Sequence, residues 1–243
     1  MNNPEYFKSS QTYSETTSTS SDSIPSKRTL LIFDFDDTIF CTKYFDTYSL
    51  SYKDIFECKI SLEEINPCLV KDIKELESVI INMFMKFLNN YDIIIWSNAD
   101  LKWINNCLTH FLPELKDIIN ENDIKIFSAK NIWSKRVKSS NKWKTRCFKE
   151  VVNEIYSNEL NLDLTVISIG DSNDEKKAVF KLVNNHIFRK LTTKFVQMIS
   201  FPSAASIILQ LKYISDNRNN FMNDDKIIFK FNLEIKNNNV LIN

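Results

Sequence analysis

After a Ser- and Thr-rich start, the chain alternates between short runs of β-branched and other apolar residues and longer stretches whose apolar positions recur every three or four residues. The short runs Thr29 to Phe35, Asp92 to Trp96, Asp123 to Phe127 and Leu164 to Ile169 read as strands. Between the first two, Leu69, Ile73, Leu76, Ile80, Met83 and Phe87 form one apolar helical stripe. Leu101, Ile104, Leu108 and Phe111 predict a second helix, Trp143, Cys147, Val151 and Ile155 a third, and Ala178, Val179, Leu182 and Val183 a fourth that begins near Asp174. A short extended run from Lys194 to Ile199 follows, then a helix opened by Pro202 in its first turn. Lys226 to Ile235 alternate loosely, as an added edge strand would. Strand and helix in alternation predict an α/β fold, a Rossmann-like parallel sheet with helices on both faces.

The apolar pattern also divides the chain. Residues 1–27 hold almost no large apolar side chains and are expected to form a disordered tail. Residues 28–215 carry the predicted sheet and helices, and 216–243 read as a C-terminal extension. Within the domain, residues 41–68 are weakly periodic and rich in aromatics, which suits a small insertion just after the first strand. Tyr44, Phe45, Tyr48, Tyr52 and Phe56 there could rim a site, although such residues more often pack an irregular loop.

Composition narrows the class. With 243 residues, 43% of them apolar, the chain can bury a real core, and its formal charge of zero gives no clear nucleic-acid signal and no pull toward an anionic membrane, leaving only local basic patches. No apolar run reaches the roughly 20 residues needed to span a bilayer, and the first residues lack the order of a secretory signal, so a cytoplasmic location is expected. Five cysteines without CxxC spacing argue against a disulfide framework or a zinc site. With a single glycine, Gly170, turns are expected to fall to asparagine, and Gly170 itself marks a sharp turn or a close approach.

The candidate chemistry sits at strand ends. Asp34, Phe35, Asp36, Asp37 and Thr38 close the first strand, and Gly170, Asp171, Ser172, Asn173, Asp174 and Glu175 close the fourth. Ligands of open parallel sheets bind outside those carboxyl ends. Crowded carboxylates there are costly unless a cation neutralises them, and a hard, oxygen-seeking ion such as magnesium suits them. Asp174 and Glu175 are equally explained as a helix cap. Ser97 and Asn98 end the second strand, where a hydroxyl and backbone N–H groups meet an anion, or where a helix is simply capped. Lys142, Lys144 and Arg146 surround Trp143. Lys144 lies off the apolar stripe, within reach of a phosphate oxygen or on a solvated face.

These residues resemble the haloacid dehalogenase superfamily of aspartate-dependent phosphohydrolases over roughly Thr29 to Asn184. Asp34-Phe35-Asp36-Asp37-Thr38 is similar to its DxDxT signature, Ser97 to its second motif, Lys144 in preference to Lys142 to its third, and Gly170-Asp171 with Glu175 to its acidic fourth. The resemblance implies a magnesium-dependent phosphatase in which Asp34 attacks phosphorus and Asp36 serves as acid and then base. It implies magnesium on Asp34, Asp171 and the Asp36 carbonyl, with Thr38, Ser97, Asn98 and Lys144 on the phosphate and Asp174 and Glu175 behind them. Many relatives carry Asp where this chain has Glu175. The substrate would be a phosphorylated small molecule or macromolecule, since only residues 41–68 are available as a cap. Phosphotransfer to another acceptor, or a non-catalytic phosphate-binding scaffold, are the alternatives.

Overall fold

A computed structural model describes residues 26–48, 57, 66–139, 142–159, 161–184, 187–222, 228–236 and 239–242. Residues 1–25 of the expected tail and most of the insertion, including Tyr52, Phe56 and Cys58, therefore lie outside the described residues, while Ser26 and Lys27, assigned to the tail, instead open β1, where they pair with β4. Strand β1 (Ser26–Phe33) ends in four buried apolar residues, because it pairs in parallel on both sides and has no edge to hydrate. After it come α1 (Thr42–Asp46), α2 (Pro67–Leu88), β2 (Asp92–Ser97), α3 (Leu101–Phe111), α4 (Pro113–Glu121) and β3 (Lys125–Ser128). The chain continues with α5 (Ala129–Trp133), α6 (Trp143–Ile155), β4 (Leu162–Gly170), α7 (Asn173–Lys181) and β5 (Lys190–Gln197). It closes with α8 (Ala204–Asp216), α9 (Arg218–Met222), β6 (Ile228–Lys236) and β7 (Asn239–Ile242).

The sheet order is β3-β2-β1-β4-β5-β6-β7, parallel up to β6 and closed by an antiparallel β6-β7 pair. This is the Rossmann-like α/β architecture expected. The order runs outward from β1 in one direction and from β4 in the other, so the topological switch point lies between these two neighbours. Alternate residues feed two cores. Leu31, Phe33, Ile93, Ile95, Ile167 and Ile169 face one, with α2, α3 and α8. Leu30, Ile32, Ile94, Trp96, Leu164 and Val166 face the other, with α6 and α7. No helix among the described residues is long and apolar enough to cross a membrane.

Several local expectations shift. β1 stops at Phe33 and β3 starts at Lys125, two residues after Asp123, whose φ of 52° breaks the strand. Pro202 precedes the α8 N-cap, Ser203, instead of standing in the first turn. Ile155 is exposed, and the buried stripe of α6 runs through Lys144, Cys147, Phe148, Val151 and Val152. Asparagine does end helices, at Asn89, Asn122 and Asn217, but without left-handed backbone. Among the described residues, positive φ falls on Asp37, Asp123 and Phe201. The alternation at the C-terminus becomes β6, which extends the sheet beyond β5, while β7 takes the outermost place.

Adjacent positions on α2 separate core from surface. Phe84 is fully buried with its ring 5.2 Å from that of Phe33, whereas Met85 is 48% exposed. Urea unfolding of Phe84→Ala is expected to show a loss of about 3–5 kcal/mol, and Met85→Ala a change within about 0.5 kcal/mol.

Candidate active site

Pairing between β1 and β4 sets Phe33 beside Ile169, so the two acidic clusters leave the sheet together at the switch point. The Asp34 N–H donates to the Ile169 carbonyl at 2.9 Å, which fixes Asp34 against Gly170. A Cβ on Gly170 would stand 2.8 Å from Cγ of Glu175 and 3.3 Å from Cβ of Asp34. The glycine is therefore there for close approach, the second of its two expected roles, and its backbone is not left-handed.

Lys144, the second residue of α6, brings the remaining charge. Its ammonium donates to Oδ1 of Asp34 at 2.6 Å and, in a very short contact, to Oε1 of Glu175. It is 1% exposed and sits in the buried stripe, not off it, because its stem packs in the core while its head reaches the two carboxylates. Glu175 uses its other oxygen to accept from the Ser172 N–H and hydroxyl, completing a capping box at the start of α7. One side chain thus both caps α7 and enters the charged cluster, two places that the sequence left as alternatives. Carboxylate oxygens of Asp34, Asp171 and Glu175 all lie within 4.8 Å of one another.

Asp36 forms a second centre. It accepts from the Thr42 hydroxyl at 2.6 Å, the Trp103 indole N–H at 2.9 Å and the Ser97 hydroxyl at 3.1 Å. Its carboxylate is thereby separate from the acidic trio. Left-handed Asp37, with φ of 55°, turns the chain just after Asp36, and its own carboxylate takes the Lys43 N–H at 2.9 Å and ammonium at 3.0 Å. Lys43 also lies 3.8 Å from the ring centroid of Phe201, which is 75% exposed. Ser97 accepts from the Ala99 N–H at 2.9 Å. Asn98 donates weakly to Asp174 at 3.4 Å, leaving its Oδ1 buried without a partner, and the fully buried Thr38 hydroxyl is likewise unpaired. Of the aromatics expected at a rim, Phe45 is core and Tyr44 is tied to Tyr48 and Asp72.

The charges do not balance within the protein. Burial pushes the Asp34 carboxyl well up, against the pull of Lys144. Burial would raise Glu175 too, but Lys144 and Ser172 hold it below its ordinary value. The lysine itself is drawn down by burial and, on balance, held up by the two carboxylates. A single ammonium is shared by both acids, so it offsets only part of their joint cost. Asp171 is pushed up to about 6 by burial and by the charges of Glu175 and Asp37, and its carboxylate has no hydrogen-bond donor among the described residues. Clustered oxygen ligands with an uncompensated negative charge fit a hard divalent cation such as magnesium.

Trp103, Thr42, Asp37 and Lys43 escaped the sequence reading. Only the position of Asp37 inside the acidic run hinted at its place. Nothing local marks an indole on α3 as a donor to a carboxylate 67 residues earlier.

No family model matches the chain, and no curated protein matches it. Among solved structures, YfnB of Bacillus subtilis, a candidate HAD-hydrolase described with bound magnesium, is similar over 70% of this chain and 87% of its own, at 15% identity and a TM-score of 0.31. So distant a likeness carries no argument about chemistry. The class defined by the chain itself is an α/β Rossmann-like protein with a lysine-bridged acidic cluster at its switch point.

Magnesium is expected to raise the Tm of the protein, with stabilisation of about 2.7 kcal/mol at a hundredfold excess over Kd, and Asp171→Asn to abolish that shift. The raised Asp171 carboxyl binds a proton more readily in the folded chain, so metal-free stability should fall as pH rises from the ordinary carboxylate range through about 6. The magnesium-induced rise in Tm should accordingly be larger at neutral pH than in mild acid. Gly170→Ala, which thrusts a methyl group at Glu175, is expected to cost about 1–3 kcal/mol in urea unfolding.

Proposed function

We propose that this protein is a magnesium-dependent phosphatase that hydrolyses a phosphomonoester through an aspartyl-phosphate on Asp34. The observation that carries the reading is the pairing of two differently held aspartates two residues apart. Asp34 is buried against Lys144 and Gly170, and Asp36 is oriented by three separate donors.

In this reading Asp36 enters the cycle protonated; an Asp34 oxygen attacks phosphorus, the bond to the leaving oxygen breaks, and Asp36 gives that oxygen its proton. Asp36 then takes a proton from water, whose oxygen displaces Asp34 and releases inorganic phosphate. Lys144 offsets charge on the nucleophile and on the transferred group. Thr38, whose hydroxyl is unpaired, has a proton free for a phosphoryl oxygen. Ser97 has one hydroxyl proton, now given to Asp36, so turning it toward phosphate would release one oxygen of that carboxylate for proton transfer. Asp34 and Asp171, with the Asp36 carbonyl, would hold magnesium, and Glu175, whose two oxygens serve Lys144 and Ser172, would stand behind them; the ion when bound neutralises the nucleophile and the phosphoryl oxygens. A second carboxylate held for proton transfer favours turnover over a phosphate-binding scaffold.

The test is hydrolysis of an aryl phosphate with and without magnesium. Turnover should require the cation, vanish in Asp34→Asn, and fall by about 10²–10⁴ in Asp36→Asn while magnesium still shifts the Tm. Undiminished activity in Asp34→Asn would remove the proposal.

A further inference from the structure

A net charge of zero conceals a segregation. Between Asp123 and Glu150 stand nine lysines and arginines and no acidic residue, so the rest of a chain with 31 basic and 31 acidic residues is acidic by the same nine. The structure divides the nine. Lys125 pairs with Asp123 at 2.6 Å, Lys130 with Asp100 at 3.5 Å, and Lys144 is held inside the site. Lys149 is exposed further along α6. The other five, Lys135, Arg136, Lys138, Lys142 and Arg146, are exposed and form no ion pair among the described residues.

Their place in the fold matters. α5 starts where β3 ends, at the carboxyl edge of the sheet, and α6 starts one residue before Lys144. The basic stretch between these helices therefore lies on the edge that carries the site. It is anchored, since the Trp143 indole donates to the Val137 carbonyl at 2.6 Å and Arg136 lies 5.5 Å from the centroid of Trp133. Both indoles are half-buried, which leaves part of each surface open.

We propose that this stretch binds single-stranded nucleic acid and leads its terminal phosphate to Asp34. Cations strung along a segment suit a ligand with a charge at every nucleotide better than a single phosphate, and interleaved indoles offer stacking surfaces that every base can use. The excess of acidic residues in the rest of the chain disfavours binding of the strand elsewhere. The binding stands on charge and placement. Removal of the terminal phosphate rests on the phosphatase reading above.

The test is fluorescence anisotropy of a labelled single-stranded oligonucleotide with a terminal phosphate, measured with the full chain across a salt series. The logarithm of the binding constant should fall linearly with the logarithm of salt, with a slope reduced by about 0.7 for each cation neutralised. The triple variant Lys135→Gln, Arg136→Gln, Lys138→Gln should thus lose about 2 in slope. A matched variant on α2, Lys71→Gln, Lys74→Gln, Lys86→Gln, should lose none. Aryl phosphate turnover should be the same in both, while hydrolysis of the oligonucleotide end should drop at least about tenfold in the first alone. An unchanged slope in the first triple, or displacement of the oligonucleotide by an equal concentration of an acidic phosphopeptide of the same charge, would overturn the proposal. A binding constant of the unmodified protein that does not fall with salt would overturn the proposal even where a variant fails to fold. Binding without turnover on any ester would remove the phosphatase reading and leave this one; aryl phosphate turnover without oligonucleotide binding would do the reverse.

Discussion

The Lys144 ammonium, shared between Asp34 and Glu175 in the protein interior, is the interaction on which the arrangement of the site depends. A buried carboxylate is costly, and two side by side are costlier. The lysine offsets part of that cost, and in doing so it ties three elements together: the end of β1, the start of α6 and the start of α7. Gly170 makes the approach possible, because any side chain there would push Glu175 away from the strand end. One positive charge serves two acids, and Asp171 lies within reach of both, so the cluster is a set of oxygen ligands that a hard cation would fit.

The Asp36 centre follows a different principle. Its three donors are neutral groups from α1, β2 and α3, which orient the carboxylate without placing a charge beside it. Left-handed backbone at Asp37 lets consecutive acidic residues face different surroundings, and Lys43 takes up the Asp37 carboxylate that would otherwise add to the excess. Two aspartates separated by one residue, Asp34 beside an ammonium and Asp36 among neutral donors, have distinct environments, as the proposed division between nucleophile and acid-base group requires.

Much of the framework was legible because it rests on periodicity. The stripe from Leu69 to Phe87 is buried throughout, since helical spacing and a sheet-facing surface say the same thing. The four runs that read as strands are β1 to β4, with ends displaced by a residue or a few where capping and backbone conformation override apolar content. The α6 stripe was misjudged for a physical reason. A lysine counts as polar in any pattern, yet the Lys144 stem packs in the core and moves the buried face by one position, leaving Ile155 to solvent. The zero net charge is silent in a similar way, because a sum over the chain cannot register that nine of its 31 basic residues stand together between Asp123 and Glu150.

By itself the sequence determined which strands end in carboxylates, that a parallel α/β sheet carries them, and that the single glycine stands at one of those ends, since these follow from local pattern and residue chemistry. Only the tertiary structure decided that β1 and β4 are neighbours, that Lys144 bridges Asp34 to Glu175, and that Trp103 and Thr42 hold Asp36. Such pairings join residues far apart in the chain, and their partners are selected by strand order and helix placement. No local propensity encodes either.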